Sequence, residues 1–418
     1  MTGNREMEQA FPPYLPLKGK KILLGMTGGI ALFKVAEFSR KLMALGAEII
    51  PVMTRNAQRF VAPLTFQALC GQKVYSDMFE ERGAETIPHI QLARKADLFL
   101  VIPATANFLA KAAIGLADDL LSTMILSFRG PVLIHPSMNP FMYSHPATQN
   151  NISRLRELGY GIIEPAMGST ACGEEGKGRL NEWPVVKEEV LKALSSGELS
   201  GVNVLITAGP TREAIDPVRY ISNRSSGKMG YAMASIAYRR GADVTLISGP
   251  VAIEPPHGVK LLKVETAEEM AKAAMNYSKK AEIIVMTAAV SDYAPLSMAS
   301  HKIKKVGKQK ISLELVRTID ILSELAKKRK GKGIIAGFCA ETKNLKKEAR
   351  KKLSLKGVDM IIANDVSQRD AGFDVDTNRV ILIDAGGSTE SLPLLYKEEV
   401  AERVWDRLQT LFKKKTTE

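Results

Sequence analysis

The chain opens the same way twice. Near its start, GKKILLGMTGG sets a short apolar run, Ile22 to Gly25, directly before a Thr-Gly-Gly turn and a helical pattern from Ile30 to Leu45. Near its middle, GVNVLITAGPT repeats the arrangement with an apolar run from Val202 to Thr207 and a Gly-Pro turn. A short apolar run followed by turn residues and then by amphipathic helical periodicity is a βα step. Several in succession specify a parallel sheet covered by helices on both faces. The first series continues through AEIIPVMT, ADLFLVIPA and GPVLIHPS. The second continues through DVTLISGP, KLLKVET, EIIVMTAAV, GIIAGFCAE and DMIIANDV, with helical patterns around 229–240, 266–280, 318–330 and 342–355. The expected fold is α/β, with two doubly wound, Rossmann-like domains whose functional loops lie at the carboxyl ends of the strands. Between the series, VVKEEVLKALSSGELSG reads as a helix stopped at Ser195-Ser196-Gly197. That stop sets the expected division: 1–18 a short surface tail, 19–197 the first domain, 198–418 the second.

Composition removes several function classes. No apolar run approaches the roughly 18–20 residues of a membrane span. The first residues lack the apolar stretch of a secretion signal, so a cytoplasmic enzyme without a membrane partner is expected. Cys70, Cys172 and Cys339 form no Cys-x-x-Cys pair, which argues against a disulfide framework or a zinc site. With 58 Lys and Arg against 45 Asp and Glu, the net charge of +13 favours anionic partners. Aromatic residues are only 6%, and no helix-turn-helix, zinc-finger or RRM pattern is present. Phosphorylated small molecules are therefore expected in place of nucleic acid. The runs Lys327 to Lys330 and Lys413 to Lys415 read as solvated faces. Neither opening turn is Gly-x-Gly-x-x-Gly, which weighs against the rival reading, a flavin or nicotinamide oxidoreductase with two Rossmann-like domains.

In the first half, polar residues gather where strands end. Gly28 and Gly29, with Thr27, offer backbone N–H groups at a helix start, suited to a phosphate. Thr54, Thr105 and Asn107 add polar groups after neighbouring strands. HPSMNPFMY (135–143) carries Asn139, and the charged, glycine-rich ACGEEGKGRL (171–180) reads as a mobile, exposed loop that presents Cys172. Alone, His89 is a helix-start histidine and Asn139 a turn residue. Together, Pro-x-Met-Asn-x-x-Met at 136–142 and Ala-Cys-Gly-x-x-Gly-x-Gly-Arg at 171–179 resemble the homo-oligomeric flavin-containing cysteine decarboxylases, in particular those acting on phosphopantothenoylcysteine, over residues 19–190. The resemblance implies a flavodoxin-like domain binding FMN, with Gly28, Gly29, Thr54, Thr105, Asn107 and Ser122 at the cofactor. It implies His89 as the active-site base, Asn139 holding the substrate carboxylate, and Cys172 donating the proton that completes reduction of an enethiol. Tyr143, an aromatic in the same string, is expected to pack near the substrate. FMN would take electrons from the cysteine moiety, CO2 would leave, and the electrons would return.

The second half is richest at ITAGPTREAIDPVRYISNRSSGKMG (206–230), where hydroxyls, small residues and a lysine precede a helix, an anion-site composition. MTAAVSDYAP (286–295) sets Asp292 beyond a strand end, and HKIKK (301–305) supplies lysines, so a metal-binding acid and phosphate-binding cations are both at hand. The string Asp216 to Gly230, with AAV-x-D, Lys-Ile-Lys-Lys, GFCAET and ANDV in order, resembles the phosphopantothenate–cysteine ligases over residues 200–410. The resemblance implies activation of the 4'-phosphopantothenate carboxylate by CTP with Mg2+, giving an acyl-cytidylate that cysteine then displaces. Lys302 would be the cation at the α-phosphate, Asn223 would handle the acyl-cytidylate, and Arg219 would help hold the substrate phosphate. Met286, Thr287, Ala288, Asp292, Phe338, Lys352 and Lys356 match nucleotide-binding positions, with Asp292 also the candidate Mg2+ ligand. Thr318-Ile319-Asp320-Ile321 replaces a common Asn-Pro-Asp-Ile near the triphosphate. Cys339 reads as core. Flavin decarboxylases of this group form trimers with FMN at subunit contacts and the ligases form dimers, so a homo-oligomer, a trimer or dodecamer, is implied.

Overall fold

The computed structural model describes residues 12–79, 88–170, 172–304, 312–329, 333–341, 344–365, 372 and 374–417. The chain divides into two compact units between Ser195 and Ser196.

The first unit is built on a five-stranded parallel sheet. Its strands lie in the order Glu48–Met53, Lys21–Met26, Leu98–Ala104, Val132–Pro136, Gly161–Ile162. In chain order this is 2-1-3-4-5, the flavodoxin-like arrangement. Leu98–Ala104 is buried along its whole length. Its alternate side chains feed two cores: Leu98, Leu100 and Ile102 join Ile22, Leu32 and Val186 on one face. Phe99 and Val101 join Leu23, Phe108 and Ile134 on the other. Unbroken burial explains why the strand sequences are continuously apolar and not alternating. Trp183 packs on Phe38 at 5.8 Å between ring centroids. That contact seats the closing helix Trp183–Ala193 against Leu32–Ala44.

The second unit has an eight-stranded sheet. The order is Lys260–Lys263, Asp243–Ser248, Asn203–Ala208, Ile283–Met286, Ile334–Glu341, Met360–Asp365, Val380–Asp384, Thr389–Ser391. The first six are parallel and the last two antiparallel. Counted along the chain the order is 3-2-1-4-5-6-7-8, a Rossmann arrangement extended by an antiparallel edge. Helices Lys228–Arg239 and Lys397–Thr417 cover one face around the fully buried Trp405, whose Nε1 donates to the Met233 carbonyl at 2.9 Å. The buried Arg240 joins these helices through Glu402 and Asp406, the latter at 2.7 Å.

In both units the chain order reverses beside the first strand. The crevices open between the ends of Lys21–Met26 and Leu98–Ala104, and between the ends of Asn203–Ala208 and Ile283–Met286. A doubly wound sheet binds its ligand at such reversals.

Two expectations are corrected. The segment read as a surface tail is anchored at its end: Leu17 is buried and its N–H donates to the Leu45 carbonyl. Glu175–Arg179, read as mobile loop, is a strand paired antiparallel with Ala166–Ser169. Lys413 to Lys415 continue the last helix and are exposed, as expected, with Lys415 Nζ 2.5 Å from Asp359 Oδ1. Among the described residues no helix is long and apolar enough to cross a membrane.

Candidate active sites

In the first unit, the reversal point is locked by a threonine. Thr27 is buried, its hydroxyl donates to the Pro103 carbonyl at 2.8 Å, and the Thr105 N–H donates back to that hydroxyl at 2.9 Å. The Thr27 side chain therefore ties two strand ends together and is not offered to a ligand. Gly28 is required by space, since a Cβ there would lie 2.6 Å from Asn56 Cβ. The helix that follows, Leu32–Ala44, has no side-chain cap; its first N–H groups, those of Leu32, Phe33 and Lys34, donate to the carbonyls of Gly29, Ile30 and Ala31 at 3.0, 3.4 and 3.1 Å.

A cleft of about 440 Å3 opens over this turn and brings together Gly28, Gly29, Thr105, Asn139 and Cys172. Asn139 begins the short helix Pro140–Ser144. Its Oδ1 accepts the N–H groups of Phe141 at 2.8 Å and Met142 at 3.3 Å. With the oxygen so held, Nδ2 faces the opposite way, toward Glu174 and Cys172 Sγ at 3.9 Å. The hairpin Ala166–Ser169/Glu175–Arg179 delivers Cys172 to this point. It can pass so close because Gly178 lies where a Cβ would meet the Met138 carbonyl at 2.2 Å, and Gly176 where one would meet Pro140 at 2.6 Å. Cys172 is exposed at the tip.

Other expected residues divide. Thr105 caps helix Ala106–Ile114 at the cleft, and Asn107 is exposed on its first turn. Thr54 closes the turn beside Gly28, with its hydroxyl 3.4 Å from the Met26 carbonyl. Ser122 is buried in a capping box with Asp119, so its hydroxyl serves the helix Leu120–Ser127. Tyr143 is buried, not turned to the cleft: its hydroxyl donates to Glu164 at 2.7 Å, and burial followed by that carboxylate pushes its pKa well up. His89 stands in the first turn of helix Pro88–Lys95, and its side chain lies outside the described residues. Sequence reasoning missed Glu174, Lys34 and Arg179. The two cations line the cleft and both pair with Glu182, at 3.2 and 2.7 Å. Lys34 lies just past the glycine turn and Arg179 inside the quoted hairpin string, which is the signal that pointed to them.

In the second unit glycine again allows the close approach. A Cβ at Gly230 would meet Thr287 Oγ1 at 2.3 Å, and one at Gly249 the Pro210 carbonyl at 1.8 Å. The start of helix Lys228–Arg239 thus presses onto both strand ends of the crevice. Met286 is buried in the core, the Thr287 hydroxyl donates to the Thr207 carbonyl, and the Ala288 N–H donates to Thr207 Oγ1 at 3.3 Å. Asn223 joins this rim: its Nδ2 donates to the carbonyls of Val290 at 2.9 Å and Ala289 at 3.4 Å.

Beside the rim, the Thr318 N–H donates to the Asp292 carbonyl at 3.0 Å, which places 318–320 against Asp292. Lys356 pairs with Asp320. Lys352 pairs with Glu341 at 2.7 Å; burial lowers its pKa, but Glu341 and more distant negative groups including Asp292 outweigh it. Both lysines expected at a nucleotide thus already hold carboxylates. Phe338 packs on one face of Ile334–Glu341, and Cys339, buried as expected, on the opposite face with Lys352 near it. Arg219 is exposed, but part of its guanidinium is already engaged. It pairs with the buried Asp216 through Nε at 3.0 Å and a terminal nitrogen at 2.5 Å, and that nitrogen also donates to the Ile303 carbonyl at 3.0 Å. Lys302, next to Ile303, is exposed. Asp292 is exposed, and among the described residues no group of three or more His, Cys, Asp or Glu could hold a metal ion.

Residues 12–195 match the family described as Flavoprotein, and residues 199–411 the DNA/pantothenate metabolism flavoprotein C-terminal domain. The coenzyme A biosynthesis bifunctional protein CoaBC of Bacillus subtilis is 46% identical over 401 residues, 95% of this chain and 98% of that one. The Escherichia coli K12 protein of the same description is 42% identical over 405 residues, covering 96% and 99%. A solved C-terminal domain of a CoaBC protein is 41% identical, covers 52% of this chain and all of its own, and has a TM-score of 0.45. Matched nearly end to end by these relatives, the chain belongs to the family of bifunctional coenzyme A biosynthesis enzymes.

Proposed function

We propose that the two crevices run consecutive reactions. The second unit, within 198–418, joins cysteine to 4'-phosphopantothenate at the expense of CTP and Mg2+ through an acyl-cytidylate. The first unit, within 19–197, decarboxylates the resulting phosphopantothenoylcysteine to 4'-phosphopantetheine with FMN. The observation that carries the reading is the amide of Asn139, fixed by its helix cap so that its donor faces the cleft beside Cys172.

The first cleft fits a flavin. Its volume suits a cofactor of that size, Phe33, Met138 and Met142 give it apolar walls, and Lys34 and Arg179, beside the Gly28–Gly29 turn, give it a cationic end for the phosphate. FMN, when bound, supplies a reversible electron sink for the substrate's cysteine moiety. The chain's own residues do the rest. Asn139 Nδ2 holds the substrate carboxylate until CO2 leaves, His89 takes the thiol proton, and Cys172 returns a proton to the enethiol.

In the second crevice, Lys302 neutralises charge developing at the CTP α-phosphate as the substrate carboxylate attacks and pyrophosphate leaves. Met286, Thr287 and Ala288 form the strand end against which the nucleotide lies. Lys352 and Lys356 exchange Glu341 and Asp320 for phosphate oxygens, and Asp292 would hold Mg2+, whose charge would offset that of the triphosphate. Asn223 then orients the acyl-cytidylate for attack by the cysteine amine. The enzyme works in the cytoplasm on small molecules, as a homo-oligomer. Exposed Phe33, Ile114, Phe141 and Met142 around the first site support assembly there. The purified protein is expected to be yellow and to release FMN on denaturation. A colourless protein that neither retains nor accepts FMN would overturn the decarboxylase half.

A further inference from the structure

The segment carrying Lys302 is held by a pair of side chains from a different loop. Asp216 is buried, with its Oδ1 committed to the N–H groups of Val218 at 2.8 Å and Arg219 at 2.9 Å. Its Oδ2 accepts the Ile303 N–H at 3.2 Å. Arg219, fixed on the same carboxylate, donates to the Ile303 carbonyl at 3.0 Å. Donor and acceptor of one peptide residue are thus gripped by the two ends of one ion pair. Just upstream, the Ala299 N–H donates to the Ile215 carbonyl at 2.9 Å, so the two segments run together over several residues. Gripping Ile303 fixes the backbone from which the exposed Lys302 side chain leaves.

We propose that Asp216 is a positioning residue for Lys302: the Asp216–Arg219 pair clamps the Ile303 peptide and thereby aims the Lys302 ammonium at the nucleotide. The inference rests on the role given above to Lys302. An ammonium on a four-carbon stem loses its value in a transition state when the backbone behind it wanders, because small misplacement of a catalytic charge costs large factors in rate. A buried carboxylate suits the task. The Arg219 guanidinium and three backbone N–H groups hold its pKa well below the carboxylate range, so it stays ionised and the clamp stays closed at every pH at which the enzyme works.

The test is a double-mutant cycle on the full-length enzyme, reading pyrophosphate release from CTP with 4'-phosphopantothenate and Mg2+ in the absence of cysteine. Lys302→Ala should lose about 100-fold or more in the single-turnover rate of that release. Asp216→Asn keeps the shape but loses the charge and one acceptor, and should lose about 10-fold to 100-fold, no more than Lys302→Ala. The double variant should equal Lys302→Ala alone, because the clamp has no purpose without its ammonium. Ile303→Pro removes the clamped N–H without touching the 216–219 turn and should reproduce Asp216→Asn. The inference is overturned if Asp216→Asn or Ile303→Pro matches wild type. It is also overturned if Asp216→Asn falls below Lys302→Ala, or if the double variant falls by the product of the two single losses. Undiminished pyrophosphate release by Lys302→Ala would instead remove the reading on which the inference stands.

Discussion

The Asn139 amide has no freedom to turn over. Two backbone N–H groups hold its oxygen, so its nitrogen must face Cys172 and Glu174. Asn139→Asp would set a second carboxylate against Glu174 and against the incoming substrate carboxylate. CO2 release should fall about 100-fold or more, an effect of the size seen when one oriented donor is lost. Cys172→Ser should separate the steps in a different way. CO2 should still be released, and mass spectrometry should find the product short of two hydrogens, because the final proton donor is gone. A fully reduced product from Cys172→Ser would remove that role. In the second unit, Asn223→Asp should release pyrophosphate but accumulate acyl-nucleotide when cysteine is present. Amide formation by that variant at the wild-type rate would contradict the assignment.

The strand Val132–Pro136 carries a histidine that the function does not use. His135 is fully buried; its Nε2 accepts the Asn181 N–H at 3.0 Å, so Nδ1 carries the proton and donates to the Pro136 carbonyl at 3.0 Å. Burial lowers its pKa from 6.5 to about 4. The unfolded chain therefore binds this proton first as pH falls, and the first unit should lose stability from about pH 6.5 down to about pH 4, by up to about 3 kcal/mol. Urea midpoints followed by Trp183 fluorescence would show the slope, and His135→Asn should flatten it. The strands were legible because burial on both faces makes them continuous apolar runs, and the two opening turns were legible because glycine follows the apolar run in each. Strand order was not, since nothing local encodes which neighbour a buried strand takes. The hairpin Ala166–Ser169/Glu175–Arg179 was misread for a physical reason. Its glycines look like those of a mobile loop, yet Gly176 and Gly178 are there to pass Pro140 and Met138. Lys352, Lys356 and Arg219 read as ligands for phosphate, and the fold adds what the sequence does not show, that each also pairs with a carboxylate, Glu341, Asp320 and Asp216. Asn139 and Cys172, 33 residues apart in sequence, were expected at one site and are brought to one cleft.

Each unit by itself exposes more large apolar side chains than a solitary domain needs. On the second, Leu313, Leu315, Val316 and Ile319 lie on or beside the small antiparallel pair Tyr293–Pro295/Leu315–Arg317. Light scattering should therefore give a mass several times the 45.6 kDa of one chain. Leu315→Asp should reduce it to a smaller multiple while leaving FMN retention intact, and an unchanged mass would show that this face is not an interface. The central claim, that one chain carries two consecutive chemistries in its two crevices, is tested most directly in a single vessel. The intact protein is given 4'-phosphopantothenate, cysteine, CTP and Mg2+, and pyrophosphate and CO2 are followed together. The account predicts that both are released, CO2 following pyrophosphate and approaching it one for one, and that omitting cysteine abolishes CO2 and holds pyrophosphate to a single turnover, because the acyl-cytidylate is then not consumed. Pyrophosphate without CO2, or neither, would contradict it.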